Sequence, residues 1–170
     1  MKTTDSSSKM GQGMIYIAWL LLLAMLTFGF NNYLDQQNNP NQNIATEWNH
    51  NTAEVRLKQN RYGHYVANGQ INNIPVTFLL DTGATLISIP EQVAKKLHLK
   101  KGYPRQSRTA NGTITVFNTR LDSASIGAIE LKNIRASINP HMNGNEILLG
   151  MSFMKHLEII QKGKELVLKY

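Results

Sequence analysis

The chain of 170 residues contains no cysteine. That single absence excludes disulfides, thiolate zinc sites and thiol nucleophiles, and it leaves the redox compartment open. The five histidines, His50, His64, His98, His141 and His156, are scattered, and none stands in an H-E-x-x-H or similar ligand spacing. No metal site is therefore expected. Acidic residues are scarce, eleven against eighteen Lys and Arg, for a net charge of +7. A surplus of that sign suits nucleic acid, an anionic membrane or an acidic substrate. The basic residues are spread from Arg56 to Lys169, with only Lys95-Lys96 and Lys100-Lys101 as pairs. No basic block alternates with aromatics, so the reading is a solvated basic surface and no nucleic-acid partner.

Charge is also missing locally. Nothing charged occurs between Lys9 and Asp35, and Met14 to Phe30 is an apolar run of seventeen residues. With its uncharged flanks, this run reaches the length of a membrane-spanning helix. Tyr16, Trp19, Phe28, Phe30 and Tyr33 lie towards its ends, where amphipathic rings prefer the interface. Lys2 and Lys9 precede it, which puts a tail of residues 1–13 in the cytoplasm and the bulk of the chain outside, in a periplasmic or other extracytoplasmic space. A cleaved signal peptide is the competing reading. The Thr-Phe-Gly-Phe-Asn-Asn-Tyr that follows lacks the small residues a cleavage site needs. The expectation is an uncleaved signal anchor over residues 14–34. Residues 35–53 are dominated by Asn and Gln with few apolar groups, a composition that reads as a linker between membrane and domain.

The folded domain is expected over residues 54–170, and its pattern is mainly β. Val55 and Leu57 alternate with charged residues, as in a half-buried strand. His64 to Ile71 and Ile74 to Leu80 flank Asn72-Asn73, a tight-turn pair that tolerates positive φ. Ser88-Ile89-Pro90-Glu91 has capping-box spacing ahead of a short helix from about Pro90 to His98. Arg108 to Val116 reads as two strands about Asn111-Gly112. Further strands are expected near 118–122, 125–126, 129–131 and 134–138. Ile147-Leu148-Leu149-Gly150 is a second short apolar run, followed by a short helix from Met151 and closing strands near 157–161 and 165–169. An approximate internal repeat results: strands, apolar run, Asp-Thr-Gly and helix, then strands, apolar run, Leu-Gly and helix.

The stretch that carries chemistry is Phe78-Leu79-Leu80-Asp81-Thr82-Gly83-Ala84-Thr85. An apolar strand delivers an aspartate into a turn, and a carboxylate placed there is costly unless something uses or pairs it. Turn chemistry alone also accounts for Asp, Thr and Gly at these positions. Two further landmarks follow in order, Thr109-Ala110-Asn111-Gly112-Thr113 and Ile147-Leu148-Leu149-Gly150.

Across about residues 60 to 170 these three landmarks resemble those of the retropepsin-like aspartic proteases. The anchored, cysteine-free layout resembles a bacterial membrane-tethered branch of that clan. The resemblance implies a closed β-barrel, the half-fold of an acid protease, with one or two short helices behind a single transmembrane helix. It implies that Asp81 is catalytic, that Thr82, Gly83 and Ala84 support the active-site loop, and that Ala110, Asn111 and Gly112 form the substrate-covering flap. No cofactor is implied. Peptide hydrolysis by carboxylates needs two of them sharing a proton. Only one Asp-Thr-Gly occurs, so the enzyme would be a homodimer joined through its Asp81 loops and acting on a polypeptide. The segment 165–170 could join an intersubunit sheet, as family termini do, or form a simple edge strand. The alternative is a non-catalytic module on the same fold that holds peptides at the membrane surface. A Ser-Lys hydrolase is a weaker third reading, because no spacing singles out a pair involving Ser88 or Ser107.

Overall fold

The computed structural model describes residues 6–49, 52–109 and 112–170. The chain divides into two units, Met1–Gln37 and Asn38–Tyr170. The first is built from helix α1, Ser6–Asn38. Within it, Gly13–Asn38 is 26 residues long with a mean hydropathy of 2.1 over its most apolar stretch, and none of that stretch is buried. At 1.5 Å per residue such a helix is about 39 Å long, enough to cross a bilayer. It continues past the expected end at residue 34, through Asp35 and the following glutamines.

The second unit begins well before residue 54, which corrects the reading of 35–53 as a linker. Asn41 is buried. Its side-chain amide donates to the carbonyls of Lys58 (2.9 Å) and Val66 (2.7 Å), and its Oδ1 accepts from the Lys58 N–H (2.7 Å). Ile44 packs against the core. Strand β1, Thr46–Asn49, pairs antiparallel with β2, Thr52–Lys58. Few apolar groups are available to hold this segment. Here asparagine docks the segment by satisfying backbone groups that the strands leave open.

Strands β3, Val66–Ile71, and β4, Ile74–Leu80, form the expected hairpin. Asn72 and Asn73 both have positive φ, 49° and 65°, the requirement of a two-residue turn that follows the strand twist. Next come β5, Ile87–Pro90, and α2, Glu91–Lys96. The capping box does not form. Pro90 is the N-cap residue and no side chain caps the helix, because Ser88 lies within β5, paired with Ser137 and Leu148. Glu91 instead pairs with Lys95 (3.3 Å) and Lys101 (2.9 Å).

The remaining elements are β6, Pro104–Thr109; β7, Gly112–Ile126; β8, Ile129–Asn139; β9, Glu146–Leu149; α3, Met151–Met154; β10, Glu158–Lys162; and β11, Glu165–Lys169. Strands expected as separate short pieces are continuous in β7 and β8. The larger sheet runs β3-β4-β9-β5-β8-β7-β6, and pairing of β3 with β7 at Gln70–Ser125 and Ile71–Ala124 closes it into a barrel. Strand β6 pairs with residues 112–117 of β7, so the two form an arm beyond the ring. Phe78, Ile87, Ile89, Ile138, Ile147, Leu149 and Phe153 are fully buried in the core.

The smaller sheet runs β1-β2-β11-β10. Strand β11 is therefore central, with both edges used inside the protomer. The edge-strand and intersubunit readings of 165–170 are both corrected by this topology.

Candidate active site

The internal repeat becomes physical at the ends of β4 and β9. These strands lie side by side and parallel, with Leu80 opposite Leu149. Asp81 thus leaves one strand beside Gly150 leaving the other, and the Asp81 N–H donates to the Leu149 carbonyl (3.2 Å). The loop folds back on its own aspartate. The Gly83 N–H donates to Asp81 Oδ1 (2.8 Å) and the Ala84 N–H to the Asp81 carbonyl (3.2 Å). One carboxylate oxygen is thereby fixed while the other has no protein partner among the described residues.

The other half of the repeat braces the loop. The Met151 and Ser152 N–H groups at the start of α3 donate to the carbonyls of Ala84 (2.7 Å) and Thr85 (2.9 Å). Ser152 Oγ accepts from the N–H of buried Ile87 (3.0 Å). Gly150 passes so close that a Cβ would stand 2.6 Å from the Ala84 carbonyl oxygen and 2.7 Å from the Leu86 carbonyl carbon. A side chain there is incompatible with this approach.

Asp81 opens onto a cavity of about 330 Å³. Gly83 and Ala84 form part of its floor, and Ser107, Thr109, Ile114 and Val116 of the β6–β7 arm form part of its wall. Thr82 is exposed and does not line it. Gly112 opens β7 and pairs with Thr109, whose hydroxyl donates to the Gly112 carbonyl (2.8 Å). Ala110 and Asn111, expected at the flap tip, lie outside the described residues. Among the described residues Asp81 is the one carboxylate in the lining, and no cluster of His, Asp or Glu could hold a metal ion.

Sequence reasoning missed Arg105 and Arg108, which line the cavity from β6, and it missed Ser152. The available signal for the arginines was positional: β6 pairs with the strand that follows Asn-Gly, so its residues lie along the same arm. Nothing local marked Ser152, which acts 65 residues away from its partner in sequence.

A sequence model described as "gag-polyprotein putative aspartyl protease" matches residues 67–156, from β3 through α3. The crystal structure of a retropepsin-like aspartic protease from Rickettsia conorii superposes with a TM-score of 0.63 at 31% identity, covering 75% of this chain and 96% of that one. The chain belongs to the retropepsin-like aspartic protease family. Two curated relatives are uncharacterised proteins. One, from Rickettsia prowazekii, is 31% identical over 125 residues, covering 72% of this chain. The other, from the cobV 5′ region of a Sinorhizobium species, is 28% identical over 170 residues, covering 92% of this chain and 73% of its own length. The chain spans about half the length of the Rickettsia prowazekii relative, 53%. In this chain the arm and the Asp81 loop line one cleft.

Proposed function

We propose that the protein is a membrane-anchored aspartic endopeptidase that acts as a homodimer. The observation that carries this reading is a lone carboxylate, Asp81, held by the Gly83 N–H at the floor of a cleft walled by a hairpin arm. One carboxylate is half of the chemistry. Brought together across a two-fold axis, the Asp81 side chains of two protomers would share one proton.

In the reaction, the ionised carboxylate accepts a proton from water as its oxygen attacks the scissile carbonyl carbon. The protonated partner donates to the carbonyl oxygen, giving a neutral tetrahedral diol. Proton transfer to the amide nitrogen then accompanies C–N cleavage, releasing a carboxylic acid and an amine and returning the pair to one shared proton.

Thr82, exposed in the protomer, would bind the partner loop through its hydroxyl. Gly83 and Ala84 would keep the space beneath the pair free. Ala110, Asn111 and Gly112 would close over substrate and exclude water. Residues 14–34 would anchor the chain with its N-terminus cytoplasmic and the protease domain in the periplasm or another extracytoplasmic space. Confinement of two chains to one membrane raises their effective concentration, which favours pairing.

The test is Asp81→Asn in the full-length protein. Peptide hydrolysis should fall by at least about 10³-fold, the scale of a lost general acid–base group. Persistence of hydrolysis would exclude the paired-carboxylate mechanism. A strictly monomeric protein that binds peptides without cleaving them would instead favour the binding module.

A further inference from the structure

A second, larger cavity of about 920 Å³ lies at the root of the β6–β7 arm. It shares Thr85, Leu86 and Arg105 with the Asp81 cleft, so the two adjoin one another. Its floor is fixed where the arm joins the barrel: the Gly102 N–H donates to the Asn118 carbonyl (2.7 Å) and the Asn118 N–H to that of Tyr103 (3.0 Å).

The lining is basic. It contains His98, Lys100, Lys101, Arg105, Arg120 and Arg135 against one carboxylate, Asp122. Lys101 is already engaged, paired with Glu91 (2.9 Å) and set over the Phe117 ring (4.7 Å). Lys100, Arg105, Arg120 and Arg135 form no ion pair among the described residues. Arg120 and Arg135 are directly opposite one another on β7 and β8. Like charges at such positions repel unless an anion lies between them. Arg120 Nη1 donates to a neutral group, Asn133 Oδ1 (2.6 Å).

We propose that this cavity receives acidic side chains of the polypeptide being cleaved, at positions outside the scissile pair. The proposal rests on the protease reading and names the class of substrate. A chain leaving the Asp81 cleft along the shared wall at Arg105 enters the cavity directly. The planar guanidinium groups of Arg120 and Arg135 then meet carboxylates with matched donors. The adjacency to the Asp81 cleft favours a peptide over a lipid headgroup as the anion.

The experiment uses the full-length chain in neutral detergent micelles and peptides that share one cleavable core. The core is extended on its N- or C-terminal side by three Glu, three Gln or three Lys. The Glu-extended form on one side should show a kcat/KM about tenfold above its Gln counterpart at low salt, carried by KM, as expected for a few partly exposed charge pairs. The preference should collapse at about 0.5 M salt through screening. The double variant Arg120→Glu/Arg135→Glu should prefer the Lys-extended peptide, an inversion that mere misfolding cannot produce. The exposed-lysine control Lys155→Gln should keep the Glu preference.

Binding of the same labelled peptides to the Asp81→Asn chain, read by fluorescence anisotropy, separates the two readings. Cleavage with no preference among the extensions overturns this proposal and leaves the protease reading standing. Glu-dependent binding without any cleavage by the wild type overturns the protease reading and the substrate assignment with it, and leaves an acidic-peptide binding site. If the charge reversal abolishes association with phosphatidylglycerol-doped micelles while leaving peptide preference intact, the cavity is a headgroup site and the proposal is overturned.

Discussion

Gly150 and Ser152 show how single residues hold the candidate site. Gly150 has φ −88° and ψ −175°, a conformation open to any residue, so its need for glycine is purely spatial. Gly150→Ala would press a methyl group into the backbone at Ala84 and Leu86. We expect a loss of about 1–3 kcal/mol in denaturant unfolding, the scale of overpacking, and a larger loss of peptidase activity because the displaced loop carries Asp81. Ser152→Ala removes the partner of the buried Ile87 N–H and should cost about 1–3 kcal/mol in the same measurement. Ser152→Thr, which retains a hydroxyl, should recover part of the loss. The sequence displayed Asp81, Thr82 and Gly83 plainly, because an apolar strand running into Asp-Thr-Gly is a local pattern. It did not display Ser152, Arg105 or Arg108, whose meaning depends on strands distant in the chain.

Two elements depart from their sequence patterns, and both departures have consequences for stability. The Asn-rich segment ahead of β2 docks through Asn41. Asn41→Ala would leave the Lys58 N–H and the carbonyls of Lys58 and Val66 without their partner. Unfolding free energy should fall by about 2–3 kcal/mol, and residues 39–49 should become sensitive to limited proteolysis. At the start of α2, Glu91 is the hub of Lys101 and Lys95. Hydrogen bonding from Lys101 first, and then from Lys95, lowers its pKa below the ordinary glutamate value of 4.5. A lowered folded value means that the stabilising contribution is present above 4.5 and is lost as pH falls through the folded value. The melting-temperature difference between the wild type and Glu91→Gln should therefore be largest near neutral pH and shrink progressively below 4.5. It should be small throughout, because Lys95 and Lys101 are exposed and solvent screens both contacts. The helix and its start near Pro90 were legible in the sequence, the helix from its Val93, Ala94 and Leu97 spacing; the absence of a side-chain cap was not, because sheet pairing of β5 removed Ser88 from that role.

At the scale of the molecule, the placement of β11 matters most. It is sandwiched between β2 and β10, so the terminal strand is spent inside the protomer. Pairing of protomers, as proposed, would then rest on the Asp81 loops and other surfaces. If each active unit needs Asp81 from both chains, mixing wild type with an equal amount of Asp81→Asn should leave about one quarter of the dimers active when subunits exchange freely. Activity measured against the mixing ratio should follow the square of the wild-type fraction. A linear dependence would show that one chain carries the complete site.

The sequence by itself determined the short apolar runs that become β4 and β9, the Asn72-Asn73 hairpin, the apolar length of α1 and the single Asp-Thr-Gly. All of these follow from short-range chemistry: local apolar runs, turn dihedrals, uninterrupted apolar length and residue identity. The tertiary structure decided what lies beside what. Parallel pairing of β4 with β9 set Asp81 against Gly150, closure of the barrel through β3 and β7 carried the arm over the cleft, and register placed Arg120 opposite Arg135. Each of these unites residues that are not neighbours in the chain, so it depends on which strands pair and in what register. That choice is made by burying the whole apolar core at once.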